Sequence, residues 1–280
     1  MRFNKDKNEM ILNKIKRVSF LTSEYILLCD VETCNDNKII LDFSYVIINT
    51  RTGVIVASGS YIIKESWHTR SLKYGKYAKS KVKDYTKKLK NKECELITLI
   101  DLYDLLNNLI NTYNIKIFMA YNGKFDLEAL YCTFNYSNRK MKLWQKSAFE
   151  LSNEKPLFMQ LDLLDLWTYA SKLYKKKKFK KWYDKAIKVY SNCGNRKTTA
   201  EIVGRYILEN LHFIEEHTGA KDLEIEYLIF IACYFNSANK MVWLNYSGLW
   251  GVWRLAQDFI ISKDSKLYTM FVLNKSCYAS

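Results

Sequence analysis

The chain has 280 residues, 49% hydrophobic and 15% aromatic, with one Pro and nine Gly, which excludes a disordered or collagen-like polymer and leaves enough apolar material for a sizeable core. Its formal charge is +15, and two short stretches account for it: Arg70 to Lys92 holds ten basic residues against Asp84, and Lys172 to Lys188 holds nine Lys against Asp184. Charge concentrated in this way suits a polyanion, most often nucleic acid, and a solvated lysine-rich surface is the competing reading.

The longest apolar run, Tyr227 to Phe235, falls far short of the roughly 20 residues of a membrane helix. The charged N-terminus lacks the apolar block of about 7–15 residues that a signal peptide needs. Seven Cys without a C-x-x-C pair, and only three His, argue against both a disulfide framework and a zinc ribbon. The expectation is a reducing, cytoplasmic protein with no membrane segment.

In chain order, Tyr25–Val31 is an apolar run of strand length that ends on acids. Ile39–Ile48 and Val54–Ile63 are β-rich runs joined by NTRTG, a hairpin turn in which Gly53 can take positive φ. After the first basic stretch, Leu99, Leu102, Leu106 and Leu109 recur near helical spacing, which predicts an amphipathic helix over 97–113. Ile115–Tyr121 reads as a buried strand, Phe125–Phe134 as a helix, and Leu157–Leu161 as a short strand followed by a helix through Leu173. Helical pattern resumes over Thr198–Phe213 and Asp222–Phe235. Strands first, then strands alternating with helices, predict an α/β mixed sheet covered by helices.

Acids stand where an open α/β sheet places its chemistry. Asp30 and Glu32 end the first strand with both side chains on one face. Asp126 follows the strand IKIFMAY at the turn into a helix, and Asp222 opens the last strong helix with His217 in the preceding turn. Hard divalent cations take such oxygen ligands, and a two-metal carboxylate site clamps a phosphodiester. A lone D-x-E is expected about once by chance in such a chain, so the conjunction carries the weight. The plainer readings are solvated acids at a strand end and, for Asp222, a helix N-cap. Asp162 and Asp165 read as helix-start acids, with a supporting role at the site as the alternative.

The stretches ILLCDVETC, MAYNGKFDLEAL and EEHTGAKDLEIE resemble, in that order, the three motifs of the DEDDh 3′-to-5′ exonucleases, the proofreading-type superfamily with a ribonuclease H-like fold. The resemblance spans about Tyr25 to Phe235. It matches the His subtype, because Thr218 stands four residues before the last Asp, where the other subtype carries Tyr. It implies a ribonuclease H-like mixed sheet, three antiparallel strands followed by parallel ones, flanked by helices. It implies Asp30, Glu32, Asp126 and Asp222 as ligands of two Mg²⁺ or Mn²⁺ ions, and His217 as general base. Thr33 and Asn122 match positions that help hold a 3′ end.

The implied activity is hydrolysis at the 3′ end of single-stranded or frayed DNA or RNA, releasing nucleoside 5′-monophosphates. Two other readings stand beside it: a catalytically weak nucleic-acid-binding module, and a proofreading or processing subunit acting with a separate polymerase or RNA-processing partner. Asp126 and Asp222 are 96 residues apart, longer than a minimal member requires, and the surplus includes KLYKKKKFKKWYDKAIK. There Lys175, Lys176, Lys177, Lys178 and Trp182 are candidates to track a phosphate backbone and stack a base. The competing reading is an amphipathic helix that packs its aromatics inward. The Gly that often follows the first motif is replaced by Cys34-Asn35. The expected organisation is a basic N-terminal extension over 1–24, an exonuclease domain over 25–239 with a Lys-rich insertion at about 172–196, and a Trp-rich C-terminal extension over 240–280.

Overall fold

The computed structural model describes residues 23–34, 39–75, 78–134, 157–167, 173, 176–191, 194, 196–197, 199–215 and 217–236. Residues 1–22 of the expected N-terminal extension, the expected extension 240–280, Lys175, and most of the helix expected through Leu173 lie outside these residues.

Three strands open the described residues: β1 (Tyr25–Thr33), β2 (Ile40–Asn49) and β3 (Ile55–Ile63). Gly53 takes φ 74° in the β2–β3 turn, where Asn49 Oδ1 accepts from the Arg51 and Thr52 N–H groups. Two short helices, α1 (Lys64–His68) and α2 (Arg70–Lys73), lead into α3 (Ala78–Lys90), so most of the first basic stretch is helical. A three-residue strand β4 (Glu95–Ile97) and helix α4 (Leu99–Thr112) follow, the helix capped by Thr98, whose hydroxyl accepts from the Asp101 N–H. Then come β5 (Ile117–Ala120), α5 (Gly123–Phe134) and β6 (Asp162–Asp165). Helices α6 (Lys177–Ala186), α7 (Ala200–Leu208) and α8 (Gly219–Asn236) complete the described chain.

The six strands form one sheet in the order β4-β3-β2-β1-β5-β6. β1, β2 and β3 are antiparallel, whereas β5 lies parallel to β1, and β6 parallel to β5. This is the ribonuclease H-like arrangement expected, with β4 added parallel to β3 at the edge. Alternation along β1 sorts its side chains. Ile26 and Leu28 pack with Val46 and Met119 beneath α7 and α8, and Leu27, Cys29 and Val31 pack on the opposite face beneath α4 and α5. A third, smaller core of Leu41, Ile62, Trp67, Ala78 and Tyr85 seats α3.

One element is displaced from its expected place. Leu157–Gln160 is a turn of 3₁₀ helix, and the strand comes immediately after it, at Asp162–Asp165. Both segments are short apolar runs, and periodicity cannot rank them. Pairing with Ile117–Ala120 decides, because it sends Leu163 and Leu164 into the cores on opposite faces of the sheet. Asp162 and Asp165 are therefore strand residues and not helix-start acids.

Candidate active site

The face of β1 that carries Ile26 and Leu28 continues into Asp30 and Glu32. Their partners across β2 are Ser44 and Asp42, so three acids and a hydroxyl share the end of one sheet face. α8 crosses above them. Its start at Gly219 is close enough that a Cβ there would sit 2.5 Å from Asp42 Oδ1, and the Gly219 N–H donates to Asp42 Oδ2 (3.2 Å). A side chain at 219 would force the Asp42 carboxyl and the Ser44 hydroxyl to shift. Helix α8 therefore begins at Gly219 and puts Asp222 in its first turn, not at its N-cap.

Asp126 arrives from the other side. It lies in the first turn of α5 and is 2% exposed, and its Oδ1 accepts from the Val31 N–H (3.2 Å), between Asp30 and Glu32. The preceding turn is set by Asn122, at φ 64°, whose N–H donates to Asp165 Oδ1 (3.0 Å). Asp165 is fully buried and also accepts from the Trp167 N–H (2.9 Å).

These folds bring the expected residues together. Glu32, His217 and Asp222 each present a ligand atom within 4.8 Å of the others. The carboxyl of Asp30 lies among Glu226, Asp126, Asp222 and Glu32. Burial, with mutual repulsion added, pushes Asp30 and Asp126 well above the usual carboxylate range, Glu32 up to about 8 and Asp222 up to about 9. Asp30 Oδ2, Asp222 Oδ1 and Glu226 Oε2 are buried without a hydrogen-bond partner. Desolvated carboxylate oxygens without donors are costly unless a cation meets them. The donor set is all oxygen apart from one imidazole, which fits Mg²⁺ or Mn²⁺.

His217 stands at the rim, its side chain 62% exposed and its backbone at φ 50°. Left-handed backbone in a non-glycine residue is a strained state that gathers at functional sites. Its N–H donates to the Asp222 carboxylate, and its Nδ1 lies 3.9 Å from Glu215 Oε2. Glu215 is pushed up to about 7 by burial and by Glu201.

A cleft of about 320 Å³ opens beside this cluster, lined by Glu32, Thr33 and His217 on one side and by Ser80, Lys81 and Tyr85 of α3 on the other. That is the lower end of the roughly 300–1,000 Å³ of small-ligand pockets. Lys81 bears on Glu32, Lys88 bears on Asp42, and Lys88 Nζ donates to Thr218 Oγ1 (2.5 Å). α3 is thereby pinned to the turn that carries His217.

The expected substrate-binding residues divide. Thr33 is buried at the cleft, and Asn122 is exposed at the turn before Asp126. Lys176, Lys177 and Lys178 are exposed at the start of α6. Trp182 is half-buried, its ring 5.0 Å from Tyr206 and 5.5 Å from Phe179, and Phe179 and Tyr183 are fully buried.

Three members of the site escaped the sequence reading: Glu226, Asp42 and Lys81. The signal for Glu226 was its place one helical turn beyond Asp222, on the same face. Asp42 shares the strand face of Ser44 and Val46, two and four residues on, and this alternation was the available sign.

The sequence matches no protein-family model and no curated protein. Among solved structures, the chain is similar to a 3′-exonuclease that recognises the 3′ end of a histone mRNA stem-loop, with 11% identity, a TM-score of 0.48, and coverage of 83% of this chain and 71% of that one. It is also similar to Escherichia coli exonuclease I in complex with a dA16 oligonucleotide, with 11% identity and a TM-score of 0.46; the match covers 84% of this chain and 45% of that chain. Among the described residues, no helix is long and apolar enough to cross a membrane.

Proposed function

We propose that this chain is a divalent-metal-dependent 3′-to-5′ exonuclease that hydrolyses the terminal phosphodiester of single-stranded or frayed nucleic acid. One observation carries the reading: Asp30, Glu32, Asp126, Asp222 and His217, drawn from three separate segments of the sequence, meet at one end of the sheet with buried carboxylate oxygens that lack donors. A module that only bound nucleic acid would have no use for so costly a cluster.

Asp30, Glu32, Asp126 and Asp222 are the residues that would hold the ions. Bound there, such ions supply Lewis acidity, lowering the pKa of an attacking water and stabilising the departing 3′ oxygen. The chain's own residues do the rest. His217, at the solvent-facing rim, accepts the proton of that water, as a positioned imidazole can near neutral pH. Thr33 and the cleft beside it hold the terminal nucleotide, and Asn122 supports the strand on the Asp126 side. Lys81, half-buried across the cleft, offers a cation to a phosphate oxygen. The exposed Lys176, Lys177 and Lys178 offer further positive charge to phosphates along the strand, with Trp182 beside them.

The test is a single gel. Single-stranded DNA and RNA labelled at the 5′ end are incubated with Mg²⁺, Mn²⁺ or chelator. The expected result is a ladder shortening from the 3′ end only with metal, with nucleoside 5′-monophosphates released and no shortening of a 3′-blocked strand. Asp30→Asn should fold and be inert. Shortening in chelator, or equal rates for Asp30→Asn, would overturn the two-metal reading.

A further inference from the structure

The motifs leave one buried acid of this site without a task. Glu226 lies on α8, four residues after Asp222 and so on the same helical face. It is 3% exposed. Of the charges acting on Asp30, that of Glu226 is the strongest, and of those acting on Glu226, that of Asp126 is the strongest. Its carboxyl therefore lies near enough to the acids of β1 and α5 to feel the charge of both. One of its oxygens accepts from the Tyr121 backbone N–H, while Oε2 is buried with no partner.

A core position under a helix calls for an apolar side chain. A carboxyl placed there, with one oxygen satisfied and the other unmet, is unfavourable in the protein alone. Tyr121 explains only half of it. A cation shared with Asp30 and Asp126 explains the other half, since ion affinity at oxygen sites rises with the number of charged ligands.

We propose that Glu226 is a fifth carboxylate of the metal site, reaching the ion on the Asp126 side through Oε2, directly or through one water. The inference rests on the metal-dependent reading above and assigns to that site a ligand beyond the four carboxylates that the resemblance implies. It also gives the site five carboxylates for two divalent cations, so that Lys81, beside Glu32, faces a cluster that stays negative when loaded.

The experiment measures ion binding and not turnover. Mn²⁺ is titrated into the metal-free full chain, with free Mn²⁺ followed by its electron paramagnetic resonance signal and heat by calorimetry. E226Q retains an oxygen for the Tyr121 N–H and removes the charge. It should weaken one of the two ions roughly 10–100-fold, the range for losing a supporting group at a metal site, and it should melt higher than wild type in chelator. E226L, apolar and of similar bulk, serves the same measurement should Gln not fold. Wild-type Mn²⁺ affinity in the Glu226 variant would overturn the proposal and leave Glu226 as a support for Tyr121. Asp30→Asn, titrated alongside, separates the two failures. If it loses an ion and the Glu226 variant does not, only the fifth ligand is wrong; if it binds as wild type, the metal site itself is wrong.

Discussion

The two basic segments carry nearly the same charge and are built for different work. α3 rests on a small satellite core through Ala78 and Tyr85, and directs Lys81 and Lys88 at the carboxylates and at Thr218 beside His217. α6 sinks Phe179 and Tyr183 into the main core with Trp182 against Tyr206, and leaves its lysines in solvent. Its one acid, Asp184, is held below its usual range by a hydrogen bond from Arg196 at the surface. Composition alone makes the segments twins. What separates them is the surface each helix buries, and so which charges face something that needs them.

The largest expected effect concerns the ground that α3 overlooks. In the metal-free protein the folded state keeps Glu32 and Asp222 protonated up to about 8 and about 9, while the unfolded chain releases those protons near pH 4. The native state thus binds more protons across that interval, and stability must fall as pH rises from about 5 to about 9. Melting in chelator at pH 5 and pH 8 measures it. Mg²⁺ or Mn²⁺ should remove most of the fall, since ions take the place of those protons. A melting temperature in chelator that rises over this interval would mean that the carboxyls are not desolvated together.

Next in size is the anchoring of α6. Phe179→Ala should cost about 3–5 kcal/mol of stability, as for other buried Phe truncations, and leave the rate per folded molecule unchanged. Denaturant melts alongside exonuclease assays check both halves. A variant that keeps its stability and loses rate would put the aromatic face of α6 in the substrate path and reverse the comparison.

Lys81→Met comes third. It keeps the apolar stem and removes the cation. Losing a charge-assisted hydrogen bond to a phosphate is worth about 1.5–3 kcal/mol, so kcat/KM should drop roughly 10–100-fold with little change in melting temperature. Unchanged kinetics would make Lys81 a partner of Glu32 alone.

The sequence showed the frame and the acids more readily than it showed these assignments, for physical reasons. Apolar runs such as IILDFSYVII cannot be left in water, so β1, β2 and β3 were legible, and so were Asp30 and Glu32 at the end of β1 and Asp126 and Asp222 near the starts of α5 and α8. α3 was not: its apolar residues Ala78, Val82, Tyr85 and Leu89 are submerged among lysines, and without a partner surface their spacing reads as chance. Glu226 follows Asp222 and Glu224 in an acidic run with nothing local to single it out, yet Glu224 is half-exposed while the other two acids are buried. Asp165 needed the register of β6 on β5, which no local pattern supplies.

The smallest expected effect is that of the exposed lysines of α6. Replacing Lys176, Lys177 and Lys178 with Ser removes three positive charges from a helix whose seat in the core is untouched, so melting should stay near wild type. If these lysines meet the strand beyond the cleft, affinity falls alike for all sequences, and the slope of log affinity against log salt flattens by about 0.7 for each phosphate of the single strand that is no longer neutralised. The maximal rate stays, because such charges hold ground state and transition state equally. The measurement is binding of a single-stranded oligonucleotide in chelator across a salt series, with Lys81→Met run in parallel. A flattening of about 0.7, one phosphate's worth, keeps α6 as a helix built for the core with a minor share in binding. A flattening of about 2, as for three phosphates, would make α6 the principal backbone tracker and α3 the lesser. No change in slope would leave its lysines as solvated surface.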